Sequence, residues 1–299
     1  MAILINEDTR VVIHGITGRE ASMVTKHILA YGTRVVGGIT PGKAGKQVHG
    51  VPVYNTLRSL LKEHKANTSL VYVPPAAVLD TVKEAIDNGI KLIVIITENV
   101  PQHDVMKILA IAKAAGVRVI GPNSVGVISP VHRVKLGAIG GDNPDRCFVP
   151  GRVGVISRSG GMTAETSWMV KKAGFGVSTS ISIGGDPIIG SPPVELLKLF
   201  QEDPETDAVV MFAEPGTSLE EDAAEFIAEG GFTKPLIAYV AGKFTEEMPE
   251  GTVFGHAAAI ISKGVGKPSI KMRKLSQAGA LIAHSFDEII PLVQQVMRR

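Results

Sequence analysis

The sequence predicts an α/β protein made of two doubly wound parallel sheets in series. Short, continuous apolar runs rich in β-branched residues, the mark of strands covered on both faces, alternate with segments of helical period. The alternation breaks once, in a stretch rich in Gly, Pro, Asn and Asp that ends at Pro150-Gly151, and then restarts. A length of 299 residues also fits two units at roughly 150 residues each.

In the first half, residues 10–14 (RVVIH) read as a strand and 20–31 as a helix, followed by strands at 34–40 (RVVGGIT) and 51–54. A helix over 57–64, a strand at 69–73 (SLVYV) and a helix over 76–88 come next. A strand at 91–97 (KLIVIIT), a helix over 104–115 and a strand at 117–120 complete that half. The second alternation begins with a strand at 152–157, a helix over 163–173, a strand at 177–183 and a helix over 194–201. It continues with a strand at 208–212, a helix over 219–229, a strand at 235–240 and a long loop to Gly255. A helix over 269–278, a short strand at 280–283 and a helix over 286–297 close the chain. The expected division is therefore 1–126, a connection at 127–150, and 151–299. No repeat of fixed period is present.

Composition narrows the function. Hydrophobic residues make up 44% and charged residues 20%, so large cores can form and a disordered chain is excluded. Thirty-one basic and 29 acidic residues leave a formal charge of +2, with aromatics at 5% and no basic block, which argues against nucleic acid as a partner. The single cysteine, Cys147, allows no internal disulfide. No leader pattern opens the sequence and no apolar run reaches about 18 residues, so a cytoplasmic protein with no membrane partner is expected.

The candidate sites lie at strand ends. After the first strand, His14-Gly15-Ile16-Thr17-Gly18-Arg19-Glu20 opens a helix, where a glycine turn and free N–H groups suit a phosphate. A domain for NAD needs an acidic residue after the second strand to take the ribose hydroxyls. Here the segment is Gly37-Gly38-Ile39-Thr40-Pro41-Gly42-Lys43, and a lysine in that place favours a phosphorylated ribose or another anion. Val73-Pro74-Pro75 and Ile96-Thr97-Glu98 point to the same crevice, Val-Pro-Pro forming a stiff apolar wall without donors, and Gly121-Pro122-Asn123-Ser124 closes the last strand. The reading is a phosphorylated-nucleotide binder.

In the second half, Ser157-Arg158-Ser159-Gly160-Gly161 precedes a helix, an anion-binding arrangement. Gly184-Gly185-Asp186-Pro187, Glu214-Pro215-Gly216 and Phe254-Gly255-His256-Ala257 follow later strands. On one edge of a parallel sheet, Ser159, Gly160, Glu214 and His256 converge. A histidine beside a carboxylate and a helix N-terminus suits a phosphoryl-accepting nucleophile. Taken singly, these residues also fit a helix cap at Ser159, a solvated carboxylate at Glu214 and an ordinary loop histidine, as Lys43 in the first half also fits a solvated turn; the shared edge is what raises the second-half set. No second histidine pairs with His256, and no metal site is expected.

With these motifs in order along nearly its full length, the chain resembles the α subunit of succinyl-CoA synthetase (succinate–CoA ligase). The resemblance implies a Rossmann-like CoA-binding domain followed by a flavodoxin-like ligase domain. It implies that Thr17, Gly18, Arg19, Glu20, Lys43, Val73, Pro74, Ile96, Thr97, Glu98 and Asn123 occupy coenzyme A-binding positions. His256 would carry a phosphoryl group, Glu214 would support it, and Ser159 with Gly160 would hold the phosphate. The implied reaction interconverts succinyl-CoA, nucleoside diphosphate and phosphate with succinate, CoA and nucleoside triphosphate. The Mg-nucleotide would sit on a β subunit of ATP-grasp fold, in an αβ or (αβ)2 assembly.

The sequence departs from that pattern in places. Ser124 replaces a cysteine, and Ser159-Gly160-Gly161-Met162-Thr163-Ala164-Glu165 resembles the corresponding stretch of ATP-citrate lyase. Ala164 stands where the family has a tyrosine beside the acid, and Gly161 where it has a threonine. These changes bear on the dicarboxylic acid, with citrate or malate as alternatives to succinate. A dehydrogenase and a non-catalytic CoA-binding protein are the competing classes; the missing acid after the second strand counts against the first, and the presence of both His256 and Glu214 against the second.

Overall fold

The computed structural model describes residues 3–249, 252, 255–256, 258–261 and 265–298. Strands β1 (Val11–His14), β2 (Val35–Ile39), β3 (Gln47–Val48), β4 (Val51–Tyr54), β5 (Thr68–Val71), β6 (Leu92–Ile95) and β7 (Arg118–Ile120) form one sheet. Their spatial order is β3-β4-β2-β1-β5-β6-β7, and every pairing is parallel except the β3–β4 hairpin. Helices α1 (Arg19–Tyr31), α2 (Leu57–Leu61), α3 (Val78–Asp87) and α4 (Gln102–Ala115) make the crossovers. All of β1, β5 and β6 is buried, which is why, apart from His14 at the end of β1, these strands carry only apolar or small residues. The order reverses between β1 and β5, so a crevice opens at their carboxyl ends.

The second sheet contains β8 (Val127–Ser129), β9 (Val134–Leu136), β10 (Pro150–Ser157), β11 (Val177–Ser182), β12 (Ala208–Ala213), β13 (Leu236–Val240) and β14 (Leu281–Ala283). Its order is β14-β13-β12-β10-β11-β8-β9, with β10 to β14 mutually parallel. Helices α5 (Gly160–Lys172), α6 (Pro193–Glu202), α7 (Leu219–Ala228), α8 (Pro268–Gln277) and α9 (Ile289–Met297) flank it. Here the order reverses at β10, whose neighbours are β11 and β12. The loops after those three strands therefore share one edge.

Two expectations need correction. Residues 127–150 are more than a connection: β8 and β9 form an antiparallel hairpin within them, and β8 adds antiparallel to β11. Pairing there covers the open edge of β11, an advantage that three-residue strands set among Gly and Pro do not announce locally. Helix α5 begins at Gly160 rather than 163, because Ser159 caps it and its hydroxyl accepts from the Met162 N–H at 3.4 Å.

The two sheets are joined by a common core. One buried cluster takes Ile13, Leu70 and Ile120 from the first and Ile156, Ile181 and Met211 from the second. Buried polar bonds cross the same boundary: Thr33 Oγ1 donates to the Lys135 carbonyl (2.9 Å) and Ser191 Oγ to the Val119 carbonyl (2.7 Å). Among the described residues no helix is long and apolar enough to cross a membrane.

His14, at the end of β1, is 2% exposed and its Nε2 has no partner among the described residues. Burial pushes its pKa from 6.5 down to about 4. In that window the unfolded chain takes up a proton that the folded chain refuses, so stability is present above the unfolded value and is lost as pH falls. Between pH 7 and 4.5 this one group should cost about 2.5 kcal/mol. Urea midpoints of wild type and His14→Phe at the two pH values check it: the variant should lose less stability on acidification by about that amount, and equal losses would refute it.

Candidate active site

A cleft of about 640 Å³ opens at the carboxyl ends of β1, β5 and β6. Gly15, with φ of 81°, lets the turn after β1 pass the Tyr72 backbone, which would lie 3.0 Å from any Cβ at that position. Gly18 caps α1 without any side-chain hydrogen bond, so the first N–H groups of α1 are left for a ligand. Thr97 Oγ1 donates to the Val73 carbonyl (2.8 Å) and Thr17 Oγ1 to Thr40 Oγ1 (3.2 Å), which fixes both walls. Of the residues expected to bind CoA, Thr17, Gly18, Glu20, Val73, Pro74, Ile96, Thr97, Glu98 and Asn123 line this cleft. Arg19 and Lys43 do not; both are exposed, Lys43 in a turn whose Gly42 N–H donates to Asn55 Oδ1 at 2.8 Å. Gly15, Pro75 and Ser124 of the same strand-end segments also line the cleft, and Tyr72, Val125 and Ala138 join them.

The second constellation lies on the switch edge of the second sheet. His256 Nδ1 donates to Glu214 Oε2 at 2.6 Å, the histidine side chain being 34% and the carboxylate 12% exposed. An ionised carboxylate can only accept, so the proton sits on Nδ1 and Nε2 presents a lone pair. The hydrogen bond to Glu214 raises the His256 pKa against the opposing effect of burial; the Glu214 and Asp186 charges add to the rise and Arg158 works against it. Gly185 carries the imidazole on its face: a Cβ there would stand 2.8 Å from ring carbons of His256. Phe254 and Ala257, which flank the predicted histidine motif, lie outside the described residues.

The N-terminus of α5 supplies donors on the same edge. Ser159 Oγ takes the Met162 N–H, while helix geometry leaves those of Gly160 and Gly161 without intrahelical acceptors. Gly160 packs so closely on Val125 that a Cβ would meet its Cγ1 at 2.3 Å, whereas nothing lies within 4 Å of the corresponding position at Gly161. Gly161 and Ala164 line a second cleft of about 720 Å³ with Arg146, Cys147 and Trp168. Val125 and Ala138 line both clefts, so the two adjoin beside the start of α5. Ser124 donates its hydroxyl to the Ser182 carbonyl at 2.5 Å and ties the first sheet's last loop to the second sheet. Among the described residues no three His, Cys, Asp or Glu side chains gather as a metal site.

Comparison with known proteins follows this division. Residues 6–99 match the CoA binding domain family and residues 156–281 the CoA-ligase family. The succinate–CoA ligase [ADP-forming] subunit alpha 1 of Archaeoglobus fulgidus is 44% identical over 297 residues, covering 99% of each chain. An ADP-forming sulfoacetate–CoA ligase subunit of Acholeplasma is 42% identical, covering 99% of this chain and 98% of its own. In fold, the ATP citrate lyase of Methanosaeta concilii superposes with a TM-score of 0.91 at 24% identity, over 99% of this chain and 50% of the lyase chain. The chain belongs to the CoA-ligase family that includes the α subunits of ADP-forming succinate–CoA ligases.

Proposed function

We propose that this chain is the CoA-binding, phosphoryl-carrying α subunit of an ADP-forming succinate–CoA ligase, cytoplasmic, and paired with a nucleotide-binding β subunit of ATP-grasp fold. Residues 1–126 hold CoA and residues 151–299 carry the phosphoryl group. The observation that carries the reading is the 2.6 Å His256–Glu214 pair on the sheet edge that also bears the open N-terminus of α5. Relatives named as succinate–CoA ligase α subunits, at 44% and 45% identity over 99% of the chain, support the acid.

The chemistry then follows from the residues. Nε2 of His256 attacks the γ-phosphorus of a Mg-nucleotide on the partner, and ADP leaves. Glu214 retains the Nδ1–H hydrogen bond and offsets the charge the ring acquires. The Gly160 and Gly161 N–H groups take the phosphoryl oxygens. A carboxylate oxygen of the acid attacks the phosphorus, giving acyl phosphate and free histidine. The CoA thiolate then attacks the acyl carbon and inorganic phosphate leaves. The shared wall at Val125 and Ala138 lets the thiol end of CoA reach this point from the first cleft.

A second reading changes only the acid. Ala164 and Gly161 leave the second cleft open where the family has tyrosine and threonine, and sulfoacetate-named relatives reach 42% and 41% identity. Steady-state kcat/KM of the reconstituted complex on succinate, sulfoacetate, malate and citrate decides. Succinate should win by about tenfold or more; another acid ahead by that margin would replace it, since a site built for an extra polar group discriminates strongly. Absence of turnover on every acid would favour a non-catalytic CoA-binding protein.

A further inference from the structure

Arg158 follows β10 directly and is 1% exposed, which makes it the bulkiest fully buried side chain of the chain's described part. Its Nη1 donates to Thr217 Oγ1 (3.0 Å) and its Nη2 to the Asp186 carbonyl (3.4 Å). Both acceptors are neutral. The buried Nε has no partner among the described residues. The carboxylates nearby are engaged elsewhere: Asp186 Oδ1 accepts from Asn123 Nδ2 (2.8 Å), Glu214 from His256, and Glu220 and Glu221 from Lys271. A guanidinium keeps its proton in a protein, and burying it without an opposite charge is costly unless an anion completes the site.

The two loops it touches are those that frame His256. Gly185, next to Asp186, lies against the imidazole, and Thr217 ends the loop that begins at Glu214. Thr217 itself has φ of 50°, an unusual conformation for a β-branched residue, held from one side by Arg158 and from the other by Lys271 Nζ on its carbonyl (2.9 Å).

We propose that Arg158 is a positioning residue of phosphoryl transfer, holding the Asp186 and Thr217 loops against His256 and supplying the fixed positive charge that balances a phosphoryl group on its imidazole. The proposal rests on the phosphohistidine reading above. Three charged groups act on His256: Glu214 from the loop after β12, Asp186 after β11 and Arg158 after β10. The two carboxylates favour the imidazolium and would repel a phosphoryl group; Arg158 does the reverse. Removing its charge should therefore weaken phosphorylation and also let His256 hold its proton to higher pH.

The test labels the complex with its partner subunit and γ-labelled ATP across the pH range in which histidine titrates. Arg158→Met should lower the rate and extent of labelling by roughly ten- to a hundredfold and move the acid limb to higher pH, with CoA affinity unchanged. Glu214→Gln should move the limb the opposite way, to lower pH. Arg158→Lys keeps the charge but not the planar fork, so its limb should coincide with that of wild type. Labelling of Arg158→Met within about threefold of wild type with an unmoved limb would overturn the proposal, as would a limb shifted equally in Arg158→Lys. Should Arg158→Met not fold, Arg158→Gln, polar but uncharged, carries the same expectation. A wild-type complex that takes no label overturns instead the phosphohistidine reading on which the proposal stands.

Discussion

His256→Asn should give a folded chain that binds CoA normally yet takes up no phosphoryl group, with turnover reduced by on the order of 10⁴-fold or more. Asparagine keeps a donor toward Glu214 and is smaller than the imidazole that rests on Gly185, so neither the loop after β12 nor that after β11 is forced to move. What it lacks is a lone pair with the geometry of Nε2. The first cleft is built by the ends of β1, β5 and β6 with the loop after β7, and His256 is not among the residues that line it. Turnover, labelling and CoA titration on the one variant check the claim. Retained label would move the phosphoryl carrier elsewhere, and lost CoA binding would show that His256 serves the fold.

Lys271→Met should destabilise the chain by about 3–5 kcal/mol, because it leaves two buried carboxylates without their cation. Lys271 is fully buried on α8; its Nζ donates to Glu220, to Glu221 Oε2 at 2.9 Å and to the Thr217 carbonyl at 2.9 Å. Glu220 and Glu221 stand in the first turn of α7, where the helix dipole favours negative charge but cannot replace the ammonium. The cluster holds the Thr217 carbonyl at the end of the loop that presents Glu214, so stability and site geometry are linked through Thr217. Urea unfolding measures the effect. Adding Glu220→Gln and Glu221→Gln should restore most of the loss, since the penalty lies in the orphaned charges. A single-variant loss under about 1 kcal/mol would contradict this account.

The elements that were legible in the sequence are those whose burial is two-sided. β1, β5, β6 and β12 are buried along their whole length, and apart from His14 at the end of β1 they carry the apolar or small-residue runs that such burial requires. Placing the loops after β10 and β12 on one edge needed only that the strands be parallel, and Glu214 and His256 do meet. The hairpin β8–β9 was not legible, because its partner β11 lies some fifty residues further on and local Gly and Pro disguise three-residue strands. The start of α5 was missed for a related reason: Gly160-Gly161 reads as a turn unless Ser159 is known to cap it. Arg158 lies within the segment 157–161 that the sequence marks as anion-binding, but its burial becomes visible only when the loops after β11 and β12 close over it. The contact of Gly185 with the imidazole is equally tertiary, linking positions 71 residues apart by way of the sheet edge.

The central claim is that this chain carries a phosphoryl group on His256 and passes it to an acid that CoA captures. It is tested most directly by charging the reconstituted complex with γ-labelled ATP, isolating it, and chasing with succinate, CoA or both. Acid-labile, base-stable label should map to the peptide containing His256 and should be released as inorganic phosphate when succinate and CoA are added together, with succinyl-CoA formed in equal amount. Label on another residue, or complete release without any acyl-CoA, would contradict it.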